Sequence, residues 1–233
     1  MPTSAPRLAR ALAREHLTAQ IVAAARRQLT EVGPSELSVR AVARELAMSS
    51  SAVYRYVASR DELLTLLLVE VYNELGDVTE AAELAVSDRT DLHTRWMTLC
   101  RAIRAWARGH PHDYALVYGS PVPGYAAPPD TVPPATRVVA AFLRLLADIP
   151  WSRHVAGSAP VAPDLAHAVG SLRALTPSGT PDLVIVRCLV AWTAVFGTIS
   201  FELFGHLVGA VDDVDAYADL AFGRLAADLL GLS

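Results

Sequence analysis

The chain has 233 residues, a formal charge of −4, 52% hydrophobic residues and a mean hydropathy of +0.31. That length buries one large core or two modest ones. The longest uncharged apolar run, 188–201, covers 14 residues, short of the ~20 that a membrane-spanning helix needs, so no membrane partner is expected. The segment before Thr18 is dotted with arginine and lacks the apolar core of a signal peptide. Cys100 and Cys188 are isolated, with no C-x-x-C and no metal spacing, which suits a reducing cytoplasm.

Charge is unevenly distributed. Residues 1–60 carry nine arginines (7, 10, 14, 26, 27, 40, 44, 55 and 60) against four glutamates, so a chain of negative net charge has a basic first quarter. Binding to a polyanion responds to the local field, and the local field here is positive.

In chain order, 1–13 reads as a flexible basic tail. From 14 to 32, Leu17, Ile21, Ala25 and Leu29 keep i, i+4 spacing, and Gly33-Pro34 stops the helix. Val39, Val42, Ala43 and Leu46 recur at i, i+3, i+4 and i+7, one buried face of a very short helix, with Ser38 placed to cap it. Met48-Ser49-Ser50-Ser51 breaks the pattern, and 52–57 reads as a second short helix. Ser59-x-x-Glu62 is a capping box that opens a long helix, 60–86, with Leu63, Leu64, Leu67, Val71, Leu75 and Val78 on its apolar side.

An amphipathic helix over 88–109 follows, broken at His110-Pro111, and then one or two turns over 114–118. The stretch 119–134 holds six prolines and two glycines and predicts a long irregular loop. Helices are expected over 135–149, 163–175, 181–208 and 213–230. No stretch alternates with a period of two, so the chain reads as all-α.

Two short helices joined by a serine-led turn form a helix-turn-helix, whose second helix lies in the major groove of DNA. Ser49, Ser50 and Ser51 lead into that helix; either one caps it and the others are solvated turn residues, or their hydroxyls reach base edges or phosphates. Serine distinguishes bases weakly. Tyr54 and Tyr56, two apart, cannot share a helix face, so at least one points outward. With Arg55 between them and Arg60 at the next N-terminus, phosphate contacts are expected, while Val53 and Val57 form the core side. Arg40 can reach guanine through its guanidinium fork. The seven histidines (16, 93, 110, 112, 154, 167 and 206) show no metal spacing. There is no nucleophile elbow, phosphate loop or paired-carboxylate constellation, so neither catalysis, nor a metal, nor a cofactor is expected.

The stretch 18–68 resembles the DNA-binding domain of the TetR/AcrR family. The residues carrying the resemblance are Ala24-Ala25 and Val32-Gly33, 37–43 (Leu-Ser-Val-Arg-Ala-Val-Ala), Ser49 through Tyr54-Arg55-Tyr56-Val57, and 59–63 (Ser-Arg-Asp-Glu-Leu). Ala47 stands where most members have glycine, Tyr56 where histidine is frequent, and Arg60 where lysine is frequent. Residues 107–207 are similar to a WHG-type effector domain, through His110-Pro111-His112-Asp113-Tyr114, 118–125, Trp192, Phe196-Gly197 and 201–206.

The resemblance implies a helix-turn-helix head over 14–62 and an effector-binding and dimerising domain over 63–233. DNA contacts fall to Ser38, Arg40, Ser49, Ser50, Ser51, Tyr54, Arg55, Tyr56 and Arg60. Candidate effector contacts are Trp96, Arg101, Trp106, Tyr114, Tyr118, Phe142, Trp192 and Phe196. It further implies a homodimer built on 181–208 and 213–230, a palindromic operator in duplex DNA, and release by a small hydrophobic effector. Alternatives at this point are an all-α small-molecule-binding protein and a membrane-associated helical protein, neither binding DNA.

Overall fold

The computed structural model describes residues 5–149, 167, 169–176 and 178–231, and the regular structure among them is helical throughout. The helices are α1 Ala5–Val32, α2 Val39–Glu45, α3 Ser50–Val53, α4 Arg60–Leu84, α5 Leu92–Gly109, α6 Pro111–Tyr118, α7 Val132–Ala147, α8 Gly170–Arg173, α9 Asp182–Leu203 and α10 Val214–Leu230. They divide into two compact units. One comprises the chain up to Tyr72 together with His110–Pro134; the other comprises Asn73–Gly109 and the chain from Ala135 onward.

The first unit is built on the expected apolar faces. Ile21, Ala25 and Leu29 of α1, Val39, Val42 and Ala43 of α2, Val53, Val57, and Leu63, Leu64 and Leu67 of α4 are all buried. Each large aliphatic side chain buried this way contributes about 1.5–3 kcal/mol. That sum, not helix propensity, holds α2 and α3, which are too short to persist alone. On the far side of α1, Arg26 donates to the buried Asp113 of α6 from Nε (2.9 Å) and Nη2 (2.6 Å). Tyr72 donates to the Val117 carbonyl at 3.4 Å, and Tyr125 hydrogen-bonds Thr65 of α4 at 2.8 Å.

The second unit packs α9 against α10 and both against α5. Trp96, fully buried, donates from Nε1 to the Phe222 carbonyl (2.9 Å) and meets Phe142 edge to face at 5.2 Å. Arg95 is 1% exposed. Its charge is met by Glu83 (Nε–Oε1 2.7 Å), Asp148 (Nη1–Oδ2 2.8 Å) and the Arg89 carbonyl (2.8 Å), while Arg89 also pairs with Glu83. Arg104 of α5 forks onto Glu202 of α9 at 2.6 and 2.8 Å and reaches Asp215 of α10 at 2.5 Å. From α7, Arg137 spans the second half of α4, bonding the Asn73 carbonyl (3.0 Å), Asp77 (2.6 Å) and Glu80 (2.8 Å).

Several boundaries differ from the sequence reading. The expected loose tail is helical from Ala5, because its alanines, leucines and arginines favour helix and Pro6 falls in the first turn, where a missing N–H costs nothing. The proline-rich stretch is irregular only to Pro128; a 3₁₀ turn over Pro129–Thr131 follows, and Pro133 and Pro134 sit in the first turn of α7. The helix expected to reach 208 ends at Leu203, and Gly205 takes φ 78° just beyond. Most of the helix expected over 163–175 falls outside the described residues; within them lies α8.

α9 is long and apolar enough, by length and composition, to cross a membrane, with a mean hydropathy of 1.9 over its most apolar window. α10 and α5 cover one side of it.

Candidate nucleic-acid interface

The turn between α2 and α3 closes as a Schellman motif. The Met48 N–H bonds the Ala43 carbonyl (2.8 Å) and the Ala47 N–H the Arg44 carbonyl (3.1 Å). This requires a left-handed residue at position 47, where φ is 53°. Ala47 is the single non-glycine with positive φ among the described residues.

α3 starts two residues earlier than the sequence suggested, because the cap is Ser49, whose Oγ accepts from the Ala52 N–H at 3.2 Å. Ser51 shares a 3.1 Å hydrogen bond with Ser49 and is exposed, and Ser50 is half-buried. Helix-like bonds continue through the Val57 N–H to the Val53 carbonyl, so the segment presents one outward face as far as Tyr56. Tyr54, 44% exposed, and Arg55 stand on it. Tyr56 is half-buried, and the Arg14 guanidinium lies over its ring at 5.5 Å. Arg40 in the first turn of α2 is exposed, as is Arg44 in its last.

Of the expected DNA contacts, Arg60 is held within the head, and Ser38 lacks its expected capping bond. Arg60 turns inward: Nε donates to the Leu37 carbonyl (3.1 Å), and Nη2 to those of Pro34 (2.8 Å) and Ser35 (3.1 Å). Its guanidinium clamps the α1–α2 connection to the start of α4. Ser38 occupies the N-cap position of α2 with extended backbone but makes no capping bond; its own N–H reaches Gln28 Oε1 at 3.4 Å. The Ser59 cap of α4 does form, with the Glu62 N–H on Ser59 Oγ at 3.0 Å, and Glu62 returns its carboxylate to the Ala58 N–H. Arg27 is spent on Glu45 at 2.6 Å. Arg14 adjoins this face through the Tyr56 ring, and its seven-residue spacing from Arg7 is the sequence signal that points to it.

The arrangement is thus a closed three-helix head with Arg40, Ser51, Tyr54 and Arg55 outward, all on or next to two helices joined by a tight turn. A model described as bacterial regulatory proteins, tetR family, matches residues 21–67. A second, tetracyclin repressor-like, C-terminal domain, matches 96–225. HTH-type transcriptional regulators of Mycobacterium tuberculosis and Mycobacterium bovis are each 45% identical to the chain over 199 residues, 83% of either length. The chain belongs to the TetR family of bacterial regulatory proteins.

Solved structures agree with this assignment. The crystal structure of a candidate regulatory protein superposes with a TM-score of 0.75 at 30% identity, covering 94% of this chain and 97% of that one. A protein of unknown function from Rhodococcus sp. RHA1 gives 0.63 at 25%, covering 89% and 94%. A candidate TetR family regulator from Shewanella sp. PV-4, 17% identical with a TM-score of 0.56 and covering 92% and 96%, shares the fold. This TetR-family chain is therefore a transcriptional regulator with a DNA-binding helix-turn-helix and a ligand-binding C-terminal domain.

The aromatic residues expected to line the effector site divide between the two units. Tyr114 and Tyr118 belong to the unit of the head, 5.2 Å apart, with Tyr72 edge-on to Tyr118 at 6.4 Å; burial pushes the Tyr118 hydroxyl far above its ordinary pKa. In the other unit Trp96 and Phe142 are core, and Trp106 donates to Glu74 at 2.8 Å. Arg101 is exposed and forks onto Asp219 of α10 at 2.8 and 2.9 Å, so it ties helices together. Trp192 and Phe196 pair at 5.4 Å on α9, and the buried Trp192 Nε1 has no acceptor among the described residues. No group of His, Cys, Asp and Glu suited to a metal occurs among the described residues. Burial raises the Cys188 thiol pKa to about 12, and that of Cys100 well above its ordinary value.

Proposed function

We propose that the chain is a cytoplasmic repressor that binds a pseudo-palindromic operator as a homodimer and leaves it when a small apolar effector binds. The observation that carries the reading is the outward set Arg40, Ser51, Tyr54 and Arg55 on and beside the two helices joined by the tight turn. Arg55 and Tyr54 suit phosphates, Arg40 the edge of guanine, and Ser51 either. Arg60 supports this surface from beneath.

One head offers few contacts, and two heads on half-sites ~34 Å apart, or a multiple, double them. The pairing surface we assign is the uncovered side of α9 and α10. There Val190, Phe201 (55%), Tyr217 and Leu220 (64%) are exposed, as are Phe204 and Val208 (86%) in the connection between the two helices. Two copies related by a two-fold axis would bury these residues in a four-helix contact. For the effector, Trp192 supplies an indole N–H without an acceptor among the described residues, beside the Phe196 ring, which suits an apolar molecule carrying one acceptor oxygen. Such a ligand releases DNA only through its difference in affinity between the DNA-bound and free conformations.

Footprinting on the DNA flanking the gene, repeated over a panel of apolar compounds, tests the reading. Two protected half-sites related by two-fold symmetry, lost on adding a compound, are expected. Protection without two-fold symmetry would reject the dimeric reading.

A further inference from the structure

α1 begins at Ala5, well ahead of residue 21, where the regulatory-family match starts. Its leading turns lie outside the residues that the regulatory-family model matches. They carry Arg7, Arg10 and Arg14 at i, i+3 and i+7, a spacing that puts all three on one helical face. All three are exposed, and Glu15 is the one acidic residue among the first 20. Neither Arg7 nor Arg10 has an ion pair or hydrogen bond among the described residues. Arg14 lies over the Tyr56 ring at 5.5 Å, so this ridge starts at the end of the α3 segment. From there it continues along the helix for about 10 Å, seven residues at ~1.5 Å each.

Like charges along one face repel, and Arg7 and Arg10 have no ion pair among the described residues to offset this, while Arg14 rests on the Tyr56 ring. A polyanion continuous with the surface beside Tyr56 would offset that repulsion, and duplex DNA presents one phosphate per ~3.4 Å along each strand. We infer that the first three turns of α1 are a second DNA-contacting element, in which Arg7, Arg10 and Arg14 grip the phosphate backbone beyond the base pairs faced by α3. The inference rests on the proposed docking of α3 in the major groove. It adds reach along the operator and affinity, but no base specificity, since phosphate contacts are blind to sequence. Leu8 and Leu12, also exposed, lie about 100° and 140° around the helix from Arg7. They offer the one competing occupant, an apolar protein surface.

The test compares the full-length protein with its Arg7→Ala/Arg10→Ala and Arg7→Lys/Arg10→Lys variants on one operator duplex, by fluorescence anisotropy across a salt series and by footprinting. The alanine pair should flatten the plot of log affinity against log salt by about 1.8 per head, from ~0.9 per cation lost. It should also shorten protection at both outer flanks and leave the central protection intact. The lysine pair should restore the slope. Equal slopes and footprints for wild type and the alanine pair, with the operator still protected centrally, would overturn the extension alone. Absence of any binding by the wild type would overturn the groove reading with it. A Leu8→Ala/Leu12→Ala variant that weakens binding while the arginine pair does not would assign this face to an apolar partner and overturn the inference.

Discussion

Ala47 is held in the left-handed region by the Schellman bonds of Met48 and Ala47, and a Cβ in that conformation is strained by about 1–2 kcal/mol. Ala47→Gly should therefore stabilise the protein by about 1 kcal/mol, a rise in Tm of ~2–4 °C in a calorimetric scan of a chain this size. A fall in Tm would mean that the turn relaxes around alanine. The same scale separates Arg60 from Arg55. Arg60→Ala strips three carbonyls of a charged donor and should cost about 1–2 kcal/mol of stability without altering the salt slope of DNA binding. Arg55→Ala should leave Tm alone and flatten that slope by about 0.9 per head. Sequence reasoning could place Arg60 beside a helix N-terminus but could not see that its fork reaches the carbonyls of residues 34, 35 and 37, more than 20 positions back. Ser38 illustrates the reverse case: the right residue type stands at the right position, and its hydroxyl makes no capping bond.

Among the elements, the clasp of α7 on α4 titrates. The Arg137 hydrogen bond, with the charge of that residue behind it, holds the Glu80 carboxyl below its ordinary pKa of 4.5, and Arg104 and Arg101 do the same for Asp215 and Asp219. A carboxyl whose pKa is lower folded than unfolded stabilises the fold above its unfolded value, and loses that contribution as pH falls through the folded one. Thermal stability should therefore be flat from pH 8 to about 5 and drop below about 4.5. Glu80→Gln should lower Tm at pH 7, and the difference should shrink as the pH falls below 4.5; a Tm difference that stays constant down the acid series would show that Glu80 does not titrate as described. Helix interiors were legible because apolar side chains repeat with the helical period, as in Leu63, Leu64, Leu67, Val71 and Leu75. Ends were less so. The prolines at 133 and 134 read as loop although the first turn of a helix accepts them, and 5–13 reads as tail because charge without an apolar stripe looks like solvated coil.

For the whole molecule, what was legible was the class of chemistry, and what was not was the division of labour. Aromatic residues at helical spacing were grouped as one effector lining, yet Trp96 and Phe142 seal a core, Trp106 is anchored on Glu74, and Tyr114 and Tyr118 lie with the head. Spacing along a helix cannot distinguish a side chain that fills space from one that surrounds it. The exposed stripe of α9 and α10 was accessible to sequence reasoning only as surplus hydrophobicity, and it carries the prediction at this scale. In the proposed homodimer, Leu220→Glu should bring like charges onto the paired face, halve the mass by sedimentation equilibrium, and weaken operator binding while the monomer stays folded. A variant that sediments as the wild type does would remove α10 from the interface.

Gly76 has a further consequence. A methyl group there would stand 2.9 Å from the Arg137 guanidinium and 3.1 Å from its Cβ, so the bare backbone of α4 is the bed on which that arginine lies. A bulkier residue at 76 would push that guanidinium aside and loosen its hold on Asp77 and Glu80, so the glycine keeps open the berth in which the arginine gathers two carboxylates.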